Sequence, residues 1–122
     1  MIGHAKADYP NEACGILAGR IAVTKFFAMR NLDEASISYF MDPKEQLKVF
    51  KEMRAENLQM LGIFHSHVAS EAFPSQKDVR LAFYEDASYL IVSLLDRKKP
   101  ILRSFRIKEE KVTEEEIKIN DK

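Results

Sequence analysis

Hydrophobic positions in this chain fall in short blocks separated by turn residues, with few long stripes. Residues 13–18, Ala-Cys-Gly-Ile-Leu-Ala, are small and apolar without a break, which reads as a buried strand. Gly19-Arg20 marks a turn. From Ile21 to Met29 the apolar side chains Ile21, Val23, Phe27 and Met29 recur at period two, with Lys25 the exception, and predict the paired strand. Residues 1–8 read as the end of a helix halted before Pro10. Asp42-Pro43-Lys44-Glu45 predicts a helix start, with a capping acid, proline at the first helical position and an acid at the third. Leu47, Phe50 and Met53 continue that helix as one stripe to about Asn57.

Residues 60–64, Met-Leu-Gly-Ile-Phe, suit a central strand that runs into two histidines. Pro74-Ser75 opens a second helix, with Ser75 as cap and Val79, Ala82 and Phe83 as its inner face. Residues 89–95 form a buried strand, turned by residues 96–100 into a further strand over 101–107. Strands alternating with two helices predict an α/β fold with a mixed central sheet flanked by helices. The predicted domain covers residues 1–108. Residues 109–122 are a charged tail in which Val112, Ile117 and Ile119 allow an added edge strand of the same domain.

Composition narrows the classes. A chain of 122 residues, 46% hydrophobic and 31% charged, can bury a real core. Nineteen basic residues balance nineteen acidic ones, so no basic excess points to nucleic acid. Cys14 is the single cysteine, which excludes an internal disulfide and makes a reducing cytoplasm the expected compartment. No apolar run approaches the ~20 residues of a membrane span, and the first residues lack the apolar core of a secretory signal.

The candidate chemistry lies in residues 65–78, HSHVASEAFPSQKD. Side chains two apart on a strand share a face, so His65 and His67 project together and Ser66 points away. Imidazole is a favoured zinc ligand, and Asp78, in the first turn of the next helix, can add a carboxylate. Two histidines and one carboxylate leave a fourth position for water, the pattern of a catalytic zinc site. The same residues have a plainer reading, because Ser75-Gln76-Lys77-Asp78 is a serviceable capping box. Upstream, Glu12 stands at the mouth of the buried strand, a costly place for a carboxylate without a partner. It is either the base that a metal-activated water needs or an exposed acid on the loop after Pro10-Asn11.

Taken together, residues 10–19, PNEACGILAG, and HSHVASEAFPSQKD resemble the JAMM motif of the MPN/JAB-domain metallopeptidases: an upstream glutamate, His-x-His, ten residues, then Asp with Pro-Ser before it. The resemblance extends over Asn31–Ser36, Tyr39–Glu45 and residues 89–107. It implies an MPN/JAB-like sheet with cytidine-deaminase-like layering. It also implies Zn²⁺ held by His65, His67 and Asp78, with Glu12 as general base and then acid, and Ser75 stabilising the tetrahedral intermediate. Compact prokaryotic members imply an amide substrate at the C-terminal Gly-Gly tail of a ubiquitin-like sulfur-carrier protein. No membrane or nucleic-acid partner is expected.

Two features depart from the family pattern. Val68 stands where proline usually follows the second histidine. The chain also begins late in the helix that usually follows a first strand, so the usual first strand is expected to be missing, leaving an edge open to a homodimer or a substrate tail. Cys14 is expected in the core and His4 at the surface. The rival readings are a non-catalytic MPN-like interaction domain and a two-histidine, one-carboxylate iron enzyme. Zinc nucleoside deaminases need a Pro-Cys-x-x-Cys run that this chain lacks.

Overall fold

The computed structural model describes residues 1–36 and 38–118. Helix α1 (Ile2–Asp8) precedes strands β1 (Cys14–Gly19) and β2 (Val23–Met29). Helix α2 (Pro43–Ala55) leads to β3 (Gln59–His67), then to α3 (Gln76–Arg80), β4 (Ser88–Ser93), β5 (Ile101–Lys108) and β6 (Lys111–Glu115). The six strands form one sheet in the order β2-β1-β3-β4-β5-β6. Only β3 and β4 run parallel. A parallel pair needs a long crossover, which the segment carrying α3 supplies between the two strands. This is the expected mixed α/β architecture.

Strand alternation divides the core between the two faces. Cys14, Ile16, Ala18 and Ile63 pack with Val49 and Met53 of α2. Leu17, Phe64, Leu90 and Val92 pack with Ala5 of α1. The helices therefore cover opposite faces. β1 is buried along its whole length, as its unbroken apolar run predicts. Among the described residues no helix is long and apolar enough to cross a membrane.

Several expectations need correction. Ile21 is 99% exposed, because a register shift after Ala18 pairs Gly19 with Val23 and leaves residues 20–22 in the turn. Leu47 is exposed, and the inner stripe of α2 is Val49 and Met53 with Phe50 half-buried. Helix α3 ends at Arg80, so Phe83 leaves the helical face and is exposed, while Val79 and Ala82 do pack on the core. β4 stops at Ser93, and Leu95 is exposed.

At the far edge, β5 and β6 form a hairpin through Glu109 and Glu110, whose φ angles are 49° and 64°. Val112 packs against the core from β6. Ile117 lies beyond the strand, and Ile119 is outside the described residues.

Candidate active site

β3 carries its two histidines in its last three residues, both on the α2 side of the sheet. His65 and His67 are 1% and 4% exposed. Ser66 faces the other way; its Oγ accepts from the Ala13 amide at 2.7 Å, and its own amide donates to the Ala13 carbonyl at 3.0 Å. That pairing continues the β1–β3 register, in which Cys14 faces His65. One step further along the same antiparallel register, Glu12 stands opposite His67 on the face the histidines share.

α3 brings the carboxylate. The Ser75 Oγ accepts from the Asp78 amide at 3.1 Å, and the Ser75 amide donates to Asp78 Oδ2 at 2.9 Å, a reciprocal capping box. The same Oδ2 lies 3.1 Å from His65 Nε2 and 3.0 Å from His67 Nε2, and the two Nε2 atoms are 3.0 Å apart. The metal-site and capping-box readings of this segment thus describe one arrangement: the cap aims Asp78 at the histidines.

The donor set fits a cation. His67 Nδ1 is 2.8 Å from the Glu71 carbonyl. A carbonyl oxygen only accepts, so Nδ1 carries a proton, and in the neutral ring Nε2 presents a lone pair. That lone pair faces a second imidazole nitrogen and a carboxylate oxygen. Without a cation, the crowding is relieved only by a proton on one of the two Nε2 atoms; a cation satisfies all three atoms at once. Tetrahedral zinc with bonds near 2.0–2.1 Å holds its ligands roughly 3.3 Å apart, close to the 3.0–3.1 Å separations here. The His65-His67-Asp78 cluster is compatible with a metal ion.

The electrostatics agree with this arrangement. Burial pushes the His65 imidazole down, against the opposing pull of Asp78. Burial also works against a charged His67, but bonds to the Asp78 carboxylate and Glu71 carbonyl outweigh it and raise the group. For Asp78, burial favours the neutral acid, yet hydrogen bonds from both histidines hold it far below the usual carboxylate range. Glu12 is 6% exposed. Burial, opposed by His67 and aided by the negative Asp78, pushes its carboxyl up to about 7. Glu12 is therefore a buried acid facing the cluster, and the exposed-loop reading is set aside. A slot of about 20 Å³ bounded by Ser38, Tyr39, Lys77, Asp78 and Leu81 admits a body little larger than one water.

Three residues stand differently from expectation or were not foreseen. The Tyr39 ring stacks on His65, with centroids 4.7 Å apart and planes 21° from parallel. Asn31 is buried and its amide donates to the Glu12 carbonyl at 3.0 Å. Neither lies in a periodic segment: Asn31 comes opposite Glu12 through the β1–β2 register, and Tyr39 reaches His65 through loop closure, which spacing does not encode. His4, expected at the surface, is half-buried: its Nε2 is 3.0 Å from the Cys14 carbonyl and its ring lies near Phe26 and Phe64. Cys14 is in the core as expected. Burial pushes its thiol up to about 12, and the sulfur contacts the Met29 carbonyl at 3.8 Å, so it is no reactive thiolate.

Comparison with known proteins adds four likenesses. The model of the family described as prokaryotic homologs of the JAB domain matches residues 1–108. The CysO-cysteine peptidase of Mycobacterium tuberculosis is 41% identical over 122 residues, covering 98% of this chain and 84% of that one. A solution structure of a Desulfitobacterium hafniense protein is 46% identical, with a TM-score of 0.90 over 100% of this chain and 87% of that chain. At 18% identity, the crystal structure of a JAB1/MPN domain protein from Archaeoglobus fulgidus shares the fold alone, with a TM-score of 0.61 over 98% of this chain and 90% of that chain.

Proposed function

We infer the activity from family and site together: the chain belongs to the prokaryotic homologues of the JAB domain, and we propose that it is a zinc-dependent peptidase. The observation that carries the reading is the convergence of His65 Nε2, His67 Nε2 and Asp78 Oδ2 on the face that buries Glu12. His65, His67 and Asp78 would hold Zn²⁺. When bound, the zinc lowers the pKa of a coordinated water to about 7 and polarises the scissile carbonyl.

The protein's own groups supply the rest. Glu12 takes the proton of the attacking water on its carboxylate and returns it to the departing amine; burial raises its carboxyl, and the charge of a bound cation would draw it down again, favouring the carboxylate that starts the cycle. The Ser75 Oγ already accepts from the Asp78 amide, which leaves its hydroxyl proton free to donate to the developing oxyanion. Asp78 and the Glu71 carbonyl hold the two imidazoles in place.

The proposed substrate is the amide that follows the C-terminal Gly-Gly of a ubiquitin-like sulfur-carrier protein, in a cytoplasmic setting. One observation supports it: the mycobacterial relative, 41% identical over 98% of this chain, is a CysO-cysteine peptidase.

The test uses a carrier ending in Gly-Gly extended by one residue, with the released residue followed by mass spectrometry. Wild type is expected to cleave it and to carry about one zinc per chain, with the metal lost in His67→Ala. Glu12→Gln is expected to keep the metal and lose about 100-fold or more in rate. Full activity of Glu12→Gln would sink the mechanism. Zinc without hydrolysis of any such adduct would instead identify a non-catalytic interaction domain.

A further inference from the structure

Asn31 is a buried polar residue that the proposed mechanism leaves without a task. It follows β2, is 5% exposed and forms an isolated bridge with Met41. Its Nδ2 donates to the Glu12 carbonyl and to the Ser38 carbonyl, each at 3.0 Å. Its Oδ1 accepts from the Asp33 amide at 3.0 Å and the Phe40 amide at 2.9 Å. Both donors and both lone pairs of one amide are thus used.

The β1–β2 register, continued two residues past the Cys14–Met29 pair, already sets Asn31 opposite Glu12, and these bonds tie the following loop to that pair. The loop from residue 31 to residue 41 is closed across its neck by the Leu32 amide donating to the Phe40 carbonyl at 2.8 Å. Glu12 joins the same loop through its amide, which donates to the Ala35 carbonyl at 2.8 Å. At the other end of the loop Tyr39 lays its ring on His65. One side chain therefore touches the main chain of Glu12 and both neighbours of the residue that packs on a cluster histidine.

We propose that Asn31 is a positioning residue that holds Glu12 and the His65-stacking Tyr39 loop in fixed register. This rests on the reading of Glu12 as the proton carrier. Losing the Asn31 amide frees the loop at three points and strands the Glu12 carbonyl without its partner, while the bonds among His65, His67, Asp78 and the Glu71 carbonyl are untouched. The predicted signature is a displaced base, seen as a fall in kcat with little change in KM.

The experiment pairs kinetics with a readout that needs neither metal nor turnover. The chain has three histidines, so the ring protons of His65 can be followed by NMR in metal-free protein, where the stacked Tyr39 ring shifts them upfield. In Asn31→Ala this shift is expected to collapse, as it does in Tyr39→Leu. On the carrier adduct, kcat is expected to fall about 10- to 100-fold with KM within about twofold. An unchanged His65 shift, an intact kcat, or a loss confined to KM would overturn the proposal. Should circular dichroism show Asn31→Ala unfolded, Asn31→Asp keeps both acceptor contacts, removes both donors and is judged by the same criteria. If wild type cleaves no adduct, the peptidase reading fails, and the His65 shift alone decides whether Asn31 holds the loop.

Discussion

Glu12 is where position and chemistry pull in opposite directions. Its carboxyl is buried at the entrance to an apolar strand and is pushed from 4.5 up to about 7. A folded state that holds a proton more tightly than the unfolded chain loses stability as pH rises between those values. Stability present below about pH 4.5 is therefore lost as pH climbs through about 7, by on the order of 3 kcal/mol from this group. In metal-free protein, urea midpoints of wild type are expected to fall relative to Glu12→Gln across that window, and equal slopes for the two proteins would count against a buried acid. The neighbouring residues were legible to different degrees. His65, His67 and Asp78 could be read because strand alternation and helix capping are local rules. Asn31 and Tyr39 could not, because an isolated amide and an isolated ring carry no period; the β1–β2 register sets Asn31 beside Glu12, and loop closure lays Tyr39 on His65.

At the scale of elements, the strands were legible where burial imposes a pattern and less so where a turn sets the boundary. β1 and β4 are almost wholly buried runs. The β5–β6 hairpin turns on Glu109 and Glu110 at positive φ, positions that ordinarily take Asn-Gly, so the turn announces itself poorly. Two side-chain-bearing residues in the left-handed region carry strain that glycine relieves. Replacing Glu109-Glu110 by Asn-Gly is expected to raise stability by about 1 kcal/mol, read as a higher urea midpoint at unchanged m-value. A neutral or lower midpoint would mean that the two glutamates make contacts worth more than the strain. Helix α2 shows the same division. Its start was legible in Asp42-Pro43, and the Asp42 side chain does accept from the Lys44 amide at 2.9 Å, whereas the stripe it buries, Val49 and Met53, depends on how the helix lies on the sheet.

For the whole molecule, the site joins parts of the chain that only the sheet brings together. Cys14 pairs with His65 across 51 positions of sequence, and α3 returns Asp78 to the end of β3. A cation held there binds the folded chain and not the unfolded one, so the proposed zinc at about 1,000 times its Kd is expected to stabilise by about 4 kcal/mol. Calorimetry with and without a chelator checks this, and His67→Ala is expected to show little of the gain. An equal gain in that variant would place the stabilising ion elsewhere. We further propose that residues 109–115 complete the domain as its edge strand, since Val112 packs on the core.

The sequence by itself determined the fold class, the order of the elements and the set of chemical groups, because hydrophobic period, helix caps and ligand spacing are properties of neighbouring residues. Only the tertiary structure decided that Glu12 is buried against the cluster, that Asn31 and Tyr39 brace it, and which faces of α2 and α3 are covered. Those facts depend on register and loop closure between distant segments, where the free energy belongs to pairs of residues and no single stretch of chain records it.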